Sequence, residues 1–286
     1  MSVLWGEGPG CLGRCGEQRL KPQLVNEWLE IPDSSKVAQA GPVERVPGRP
    51  GAELLVSADR LYCDGEFLAA ARDFRRARSR EPTLFDAWAW EVYARVRAGE
   101  LAGAAACADE ALETYGRVAV FYAAKALVLA HQGDTGDALQ YSDIAVKHGE
   151  DNMLTWLSRG EVFLATRAYG VASGVERCFQ EASARDPSRW RAKFEAALCF
   201  FQWENYPRAI ERLGEVAQLV PRNPFVQKLI GDCQRHSGEL AAAREAYRLA
   251  LARRPDYRPA LEALRAMTLW GRVCGALSRL FGGHKG

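Results

Sequence analysis

From Gly51 onward, apolar residues recur at three- and four-residue spacing between brief polar breaks, the periodicity of amphipathic α-helices rather than of strands. The breaks themselves repeat. Gly65-Glu66-Phe67, Gly99-Glu100-Leu101, Gly133-Asp134-Thr135 and Gly238-Glu239-Leu240 each separate two helical patterns, and the first three glycines are 34 residues apart. Five residues after these glycines stand Ala70, Ala104, Ala138 and Ala243; seven further on stand Ala77, Ala111, Ala145 and Ala250. Small residues at fixed places let paired helices approach closely. Pro82, Pro187, Pro221 and Pro255 stop the second helix of a pair. The pattern predicts six helix–turn–helix units at 51–84, 85–118, 119–152, 153–189, 190–223 and 224–257. The fourth is three residues longer, around Tyr169 to Gly174, and in the fifth Glu204-Asn205-Tyr206 replaces the glycine turn. A single pair cannot bury its own apolar face, so neighbours must stack. The expected fold is an all-α solenoid.

The phase of the recurring residue types adds to this reading. Trp88, Tyr122 and Trp156 share one place, Phe74, Phe179 and Tyr247 another, and Ile230-Gly231 and Gly160 a third. With the alanines and terminal prolines, this order resembles the tetratricopeptide repeat over about two-thirds of the chain; Gly116 and Glu150 depart from it where proline is usual. The resemblance implies a right-handed superhelical solenoid of about six repeats whose first helices line an inner surface, and a non-enzymatic scaffold or adaptor that binds protein.

The flanks follow other rules. Residues 1–50 are rich in Gly and Pro and charge-balanced, and are expected to be extended or disordered. Cys11 and Cys15 form a weak metal-like pair, but zinc needs four ligands and no second pair follows in the flank, so two free thiols are expected. Residues 258–286 read as a capping helix with Leu261 and Leu264 inward, continuing into a basic tail. There Trp270, Val273, Leu277, Leu280 and Phe281 form one stripe, with Arg272 and Arg279 on another face. Two readings of the tail stand: a prolonged cap, or an amphipathic helix giving weak, salt-sensitive contact with an anionic membrane surface or a second partner.

Charge narrows the function classes. Lys and Arg total 38 against 36 acidic residues, too even for a dedicated nucleic-acid coat, so an RNA-reading repeat is disfavoured. Four His and eight scattered Cys argue against a histidine-rich metal centre and a disulfide scaffold, and no cofactor is expected. No secretory signal is read at the N-terminus, so a reducing cytoplasmic compartment is expected. No nucleophile elbow or phosphate loop occurs, which argues against an enzyme. His131 and His236 share a phase that suggests a surface position, whereas Cys107, Cys178, Cys199 and Cys233 read as buried thiols.

The candidate site is a concave groove. On the face of each first helix left free by the anchors lie Val120, Ala123 and Leu127 in the third unit, and Leu154, Leu157, Glu161 and Leu164 in the fourth. The fifth contributes Arg191, Phe194, Leu198 and Phe201, and the sixth Lys228, Asp232 and Arg235. The groove is thus apolar in the middle and charged at its C-terminal end, suited to an amphipathic helix or extended apolar segment of a partner protein. Arginine at Leu157 or Phe201 is expected to abolish binding while leaving the helices intact.

Overall fold

A computed structural model describes residues 51–166 and 172–268. Its twelve bounded helices run in six consecutive pairs: α1 (Ala52–Cys63) and α2 (Phe67–Arg80), α3 (Phe85–Arg97) and α4 (Leu101–Tyr115), α5 (Ala119–Gln132) and α6 (Thr135–Gly149). There follow α7 (Met153–Ala165) and α8 (Ala172–Ala184), α9 (Arg191–Gln202) and α10 (Tyr206–Leu219), α11 (Pro224–His236) and α12 (Leu240–Arg253). Residues 258–268 are also helical. No strand occurs among the described residues.

One turn chemistry recurs in five of the six pairs. After α1, α3, α5, α9 and α11 a residue of positive φ is followed by an N–H that reaches back to the carbonyl five residues before it. Examples are Glu66 N–H to the Leu61 carbonyl at 2.8 Å and Glu239 N–H to the Gln234 carbonyl at 2.8 Å. This satisfies carbonyls that the helix end would leave without a partner. Glycine fills the left-handed place in four of the five; Glu204, at φ 60°, fills it in the fifth. Asparagine caps begin α7 and α11, where Asn152 accepts from Leu154 N–H and Asn223 from Phe225 N–H, both at 2.8 Å.

Odd-numbered helices form the inner layer, α3 on α5, α5 on α7 and α7 on α9, while the even-numbered helices pack outside them. Small residues permit this. A Cβ at Gly160 would lie 2.6 Å from the ring of Phe179, and one at Gly231 2.6 Å from that of Tyr247. The Trp place also recurs structurally. Trp88 Nε1 donates to the Pro82 carbonyl at 3.0 Å and Trp156 Nε1 to the Glu150 carbonyl at 2.6 Å, each tying an inner helix to the preceding loop. Edge-to-face rings of Trp88, Tyr115, Phe85 and Phe121 join the second repeat to the third. In residues 258–268, Ala260 and Met267 are the buried positions, with Leu264 packed half-buried beside them and Leu261 half-buried too.

Candidate functional site: a sealed inner face and an accessible rim

The inner helices carry long polar and aromatic side chains that reach past their immediate neighbours. Tyr93 donates to the Leu154 carbonyl at 3.1 Å, linking the second repeat to the fourth. Four residues on, Arg97 forms a two-pronged pair with Glu161, at 2.7 and 2.8 Å, and also donates to Gln202. Arg97 Nη2 lies 3.3 Å from Cys199 Sγ and 3.5 Å from Glu195. His131 meets the same Glu161 carboxylate at 2.7 Å. From the first repeat, Tyr62 donates to Glu195 at 3.0 Å. The Arg191 guanidinium stacks 4.1 Å from Trp90 and 4.6 Å from Tyr62, with Asp59 at 3.6 Å. The first repeat also meets the end of the fifth and the sixth. Asn223 donates to the Cys63 carbonyl at 3.0 Å, Arg254 pairs with Asp64 at 3.2 Å, and the rings of Phe67 and Phe225 lie 5.9 Å apart.

The two glutamates of this network differ electrostatically. Burial alone would push the Glu161 carboxyl up, but Arg97 and the hydrogen bond with His131 hold it well below the usual carboxylate range. For Glu195 burial wins: its carboxyl is raised despite Arg97 and Arg191, which sit 3.5 and 3.6 Å away without the paired geometry Glu161 enjoys. Burial pushes the Tyr62 phenol up, and Glu195 adds to that.

This geometry corrects the open groove. Ten of the fourteen expected lining residues are buried in the chain's own interior: Val120, Ala123, Leu127, Leu154, Leu157, Glu161, Arg191, Phe194, Leu198 and Asp232. Other side chains of the chain lie over several of them: Tyr62 and Trp90 of the first two repeats over Arg191, and Arg97 of the second over Glu161. Asp232 is held by Lys228 at 2.6 Å and by the Tyr247 hydroxyl at 2.9 Å. Leu157 is fully buried, so arginine there would break the core rather than test a surface. His131 is likewise no surface residue, its side chain being 11% exposed, whereas His236 is exposed as expected. Cys107, Cys178, Cys199 and Cys233 are free and buried. Arg97, Glu195 and Tyr62 went unnoticed in the sequence because nothing local separates Arg97 from Arg95; their partners lie 64 to 133 residues away.

Four of the expected residues stay accessible: Leu164, Phe201 and Lys228 half-buried, and Arg235 exposed. Leu164, Phe201 and Arg235 hold the equivalent place near the C-terminal ends of α7, α9 and α11. Around Phe201 gather Tyr206 at 5.9 Å and His236 at 6.1 Å, with Tyr206 and His236 stacked at 5.1 Å. Trp203, beside His131, is half-buried too. A cleft of about 170 Å³ between α8, α9 and α10 is lined by Lys193 and Arg212, but both cations are already paired, with Glu215 and Glu176. Among the described residues no group of His, Cys, Asp and Glu is placed to hold a metal ion, and no helix is long and apolar enough to cross a membrane. Cys11, Cys15 and the tail residues Trp270, Arg272, Val273, Leu277, Arg279, Leu280 and Phe281 lie outside the described residues.

Six stacked helix pairs, five of them closed by the same turn, define an all-α repeat solenoid, the class whose inner layer is built from every second helix. Models of the tetratricopeptide repeat match residues 91–152 and 200–267, and the chain carries these repeats, which make protein-interaction scaffolds. In an alignment of 119 positions that covers 37% of the chain, it is 30% identical to cellulose synthase 1 operon protein C of Komagataeibacter xylinus, of whose length it spans 9%. Among solved structures, a thermophilic tetratricopeptide repeat protein of Thermus thermophilus is 17% identical, with a TM-score of 0.45, covering 64% of this chain and 98% of that one. YrrB, described as a tetratricopeptide repeat protein with an unusual peptide-binding site, is 19% identical, with a TM-score of 0.38, covering 68% and 99%.

Proposed function

We propose that the chain is a non-enzymatic protein-interaction scaffold that takes a partner's apolar or amphipathic segment at the rim formed by the C-terminal ends of α7, α9 and α11. The observation that carries this reading is the half-open aromatic cluster of Phe201, Tyr206 and His236 beside exposed Arg235, while ten of the expected inner-face residues are buried in the chain itself. Aromatic side chains with one face packed and one face free are effective anchors, since they bury much area and lose little rotamer freedom. Arg235 supplies a directed cation at the edge of the apolar patch.

The test compares proteins recovered by the tagged full chain with those recovered by Phe201→Asp/Arg235→Glu and by Leu68→Asp, an exposed change on the outer helix α2. Partners held at the rim are lost from the first variant and kept by the second, with both variants retaining the wild-type helical spectrum. Equal recovery by all three places binding elsewhere.

A further inference from the structure

Two kinds of junction hold the inner layer together, and they differ in chemistry. Neighbouring repeats meet along whole helices through alanines and aromatic rings. Repeats that are not neighbours meet through a few side chains: Tyr62 on Glu195, Tyr93 on Leu154, Arg97 on Glu161 and Gln202, Asn223 on Cys63. These long-range links are mostly polar. They take two arginines and two glutamates out of water, and such pairs return little beyond their desolvation cost. Several atoms in them go short. Arg97 Nε, Arg191 Nε and Nη2, and Glu195 Oε1 are buried without a hydrogen-bond partner. The apolar neighbour junctions therefore outlast the polar long-range ones when the array is perturbed.

We propose that the seam formed by Arg97, Glu161, Glu195, Arg191 and Tyr62 is a latch, which holds the array closed and from which the inner faces of α7 and α9 open while every helix pair stays folded. Opening bares Leu154, Leu157, Leu198 and Cys199, so the latch sets when those faces are available to a partner. That consequence rests on the scaffold reading; the opening itself does not.

Cys199 reports on it directly. Its Sγ is 3.0 Å from Glu161 and is fully buried beneath Arg97, whereas the buried Cys107 and Cys178 lie on the outer helices α4 and α8, away from the seam. The experiment is native-state alkylation of the full chain with iodoacetamide, read peptide by peptide, each rate divided by that of the same cysteine in urea. The expected result is normalised labelling of Cys199 at least ten times faster than of Cys107 and Cys178. Arg97→Met should raise the Cys199 rate about tenfold more, leaving the other two thiols and the helical circular dichroism unchanged. A common rate for the three thiols, a variant effect shared equally among them, or loss of helical signal in Arg97→Met overturns the proposal, because each makes the seam part of the global fold. Asp64→Arg leaves the seam residues intact and sets like charge against Arg254 at the junction of the first and sixth repeats. It should raise Cys199 labelling several-fold; no rise in this variant also overturns the latch.

Discussion

Glu204 occupies the left-handed turn position that Gly65, Gly99, Gly133 and Gly238 occupy elsewhere, at φ 60°, with its side chain in solvent. A side chain in that region costs about 1–2 kcal/mol, part of which glycine would give back through its freer unfolded state. Glu204→Gly is therefore expected to stabilise by about 0.5–1 kcal/mol in urea unfolding. The two buried glutamates make a sharper pair. Glu161→Gln leaves Arg97 buried without its counter-charge and should cost about 3–5 kcal/mol at pH 7, whereas Glu195→Gln should cost under about 1 kcal/mol. The pH dependence differs in sign. Glu161, depressed when folded, stabilises above its ordinary value of 4.5, and this is lost as pH falls below it. Glu195, raised when folded, carries a cost at neutral pH that is relieved as it takes up a proton on mild acidification. Wild type should thus gain stability relative to Glu195→Gln as pH falls from neutral towards the ordinary value of 4.5, which parallel urea titrations of the two chains would show.

At the scale of the helix pair, the amino-acid pattern carried most of the structure. The turn positions of five repeats, the alanines between paired helices and the Trp anchors were legible, because each is set by contacts within one repeat or with the next. Gly160 and Gly231 were legible as equivalents, and the structure supplies the cause: an aromatic ring from the pair's second helix lies against each. Gly231→Val should drive that position into Tyr247 and cost about 1–3 kcal/mol, measured by thermal unfolding. What the pattern could not show was the fate of the inner face. Leu157, Phe194 and Leu198 carry the spacing of a free surface, yet all three are buried, Phe194 against Phe225 of the next repeat. That arrangement depends on a small rotation per repeat, accumulated along the array, and no local spacing encodes it. Arginine at the fully buried Leu157 should therefore abolish the cooperative helical transition itself.

Across the whole array, contacts between the first and the fifth and sixth repeats close the nearest-neighbour stack into a circuit. A solenoid without such contacts can melt from its ends, repeat by repeat. Phe225→Ala removes ring contacts to both Phe67 and Phe194, and should cost about 3–5 kcal/mol. It should also split one urea transition into two, seen as disagreement between tryptophan fluorescence and circular dichroism. The same circuit constrains how such a chain can change in length. An open stack tolerates gain or loss of a unit, since any unit can follow any other. Here the meeting of Asp64 with Arg254 and of Cys63 with Asn223 requires the turn accumulated over the intervening repeats to bring one end back to the other. Excising one unit, for instance residues 119–152, would leave every adjacent interface possible in principle and the circuit unable to meet, so the number of repeats is itself a fixed structural parameter of this protein.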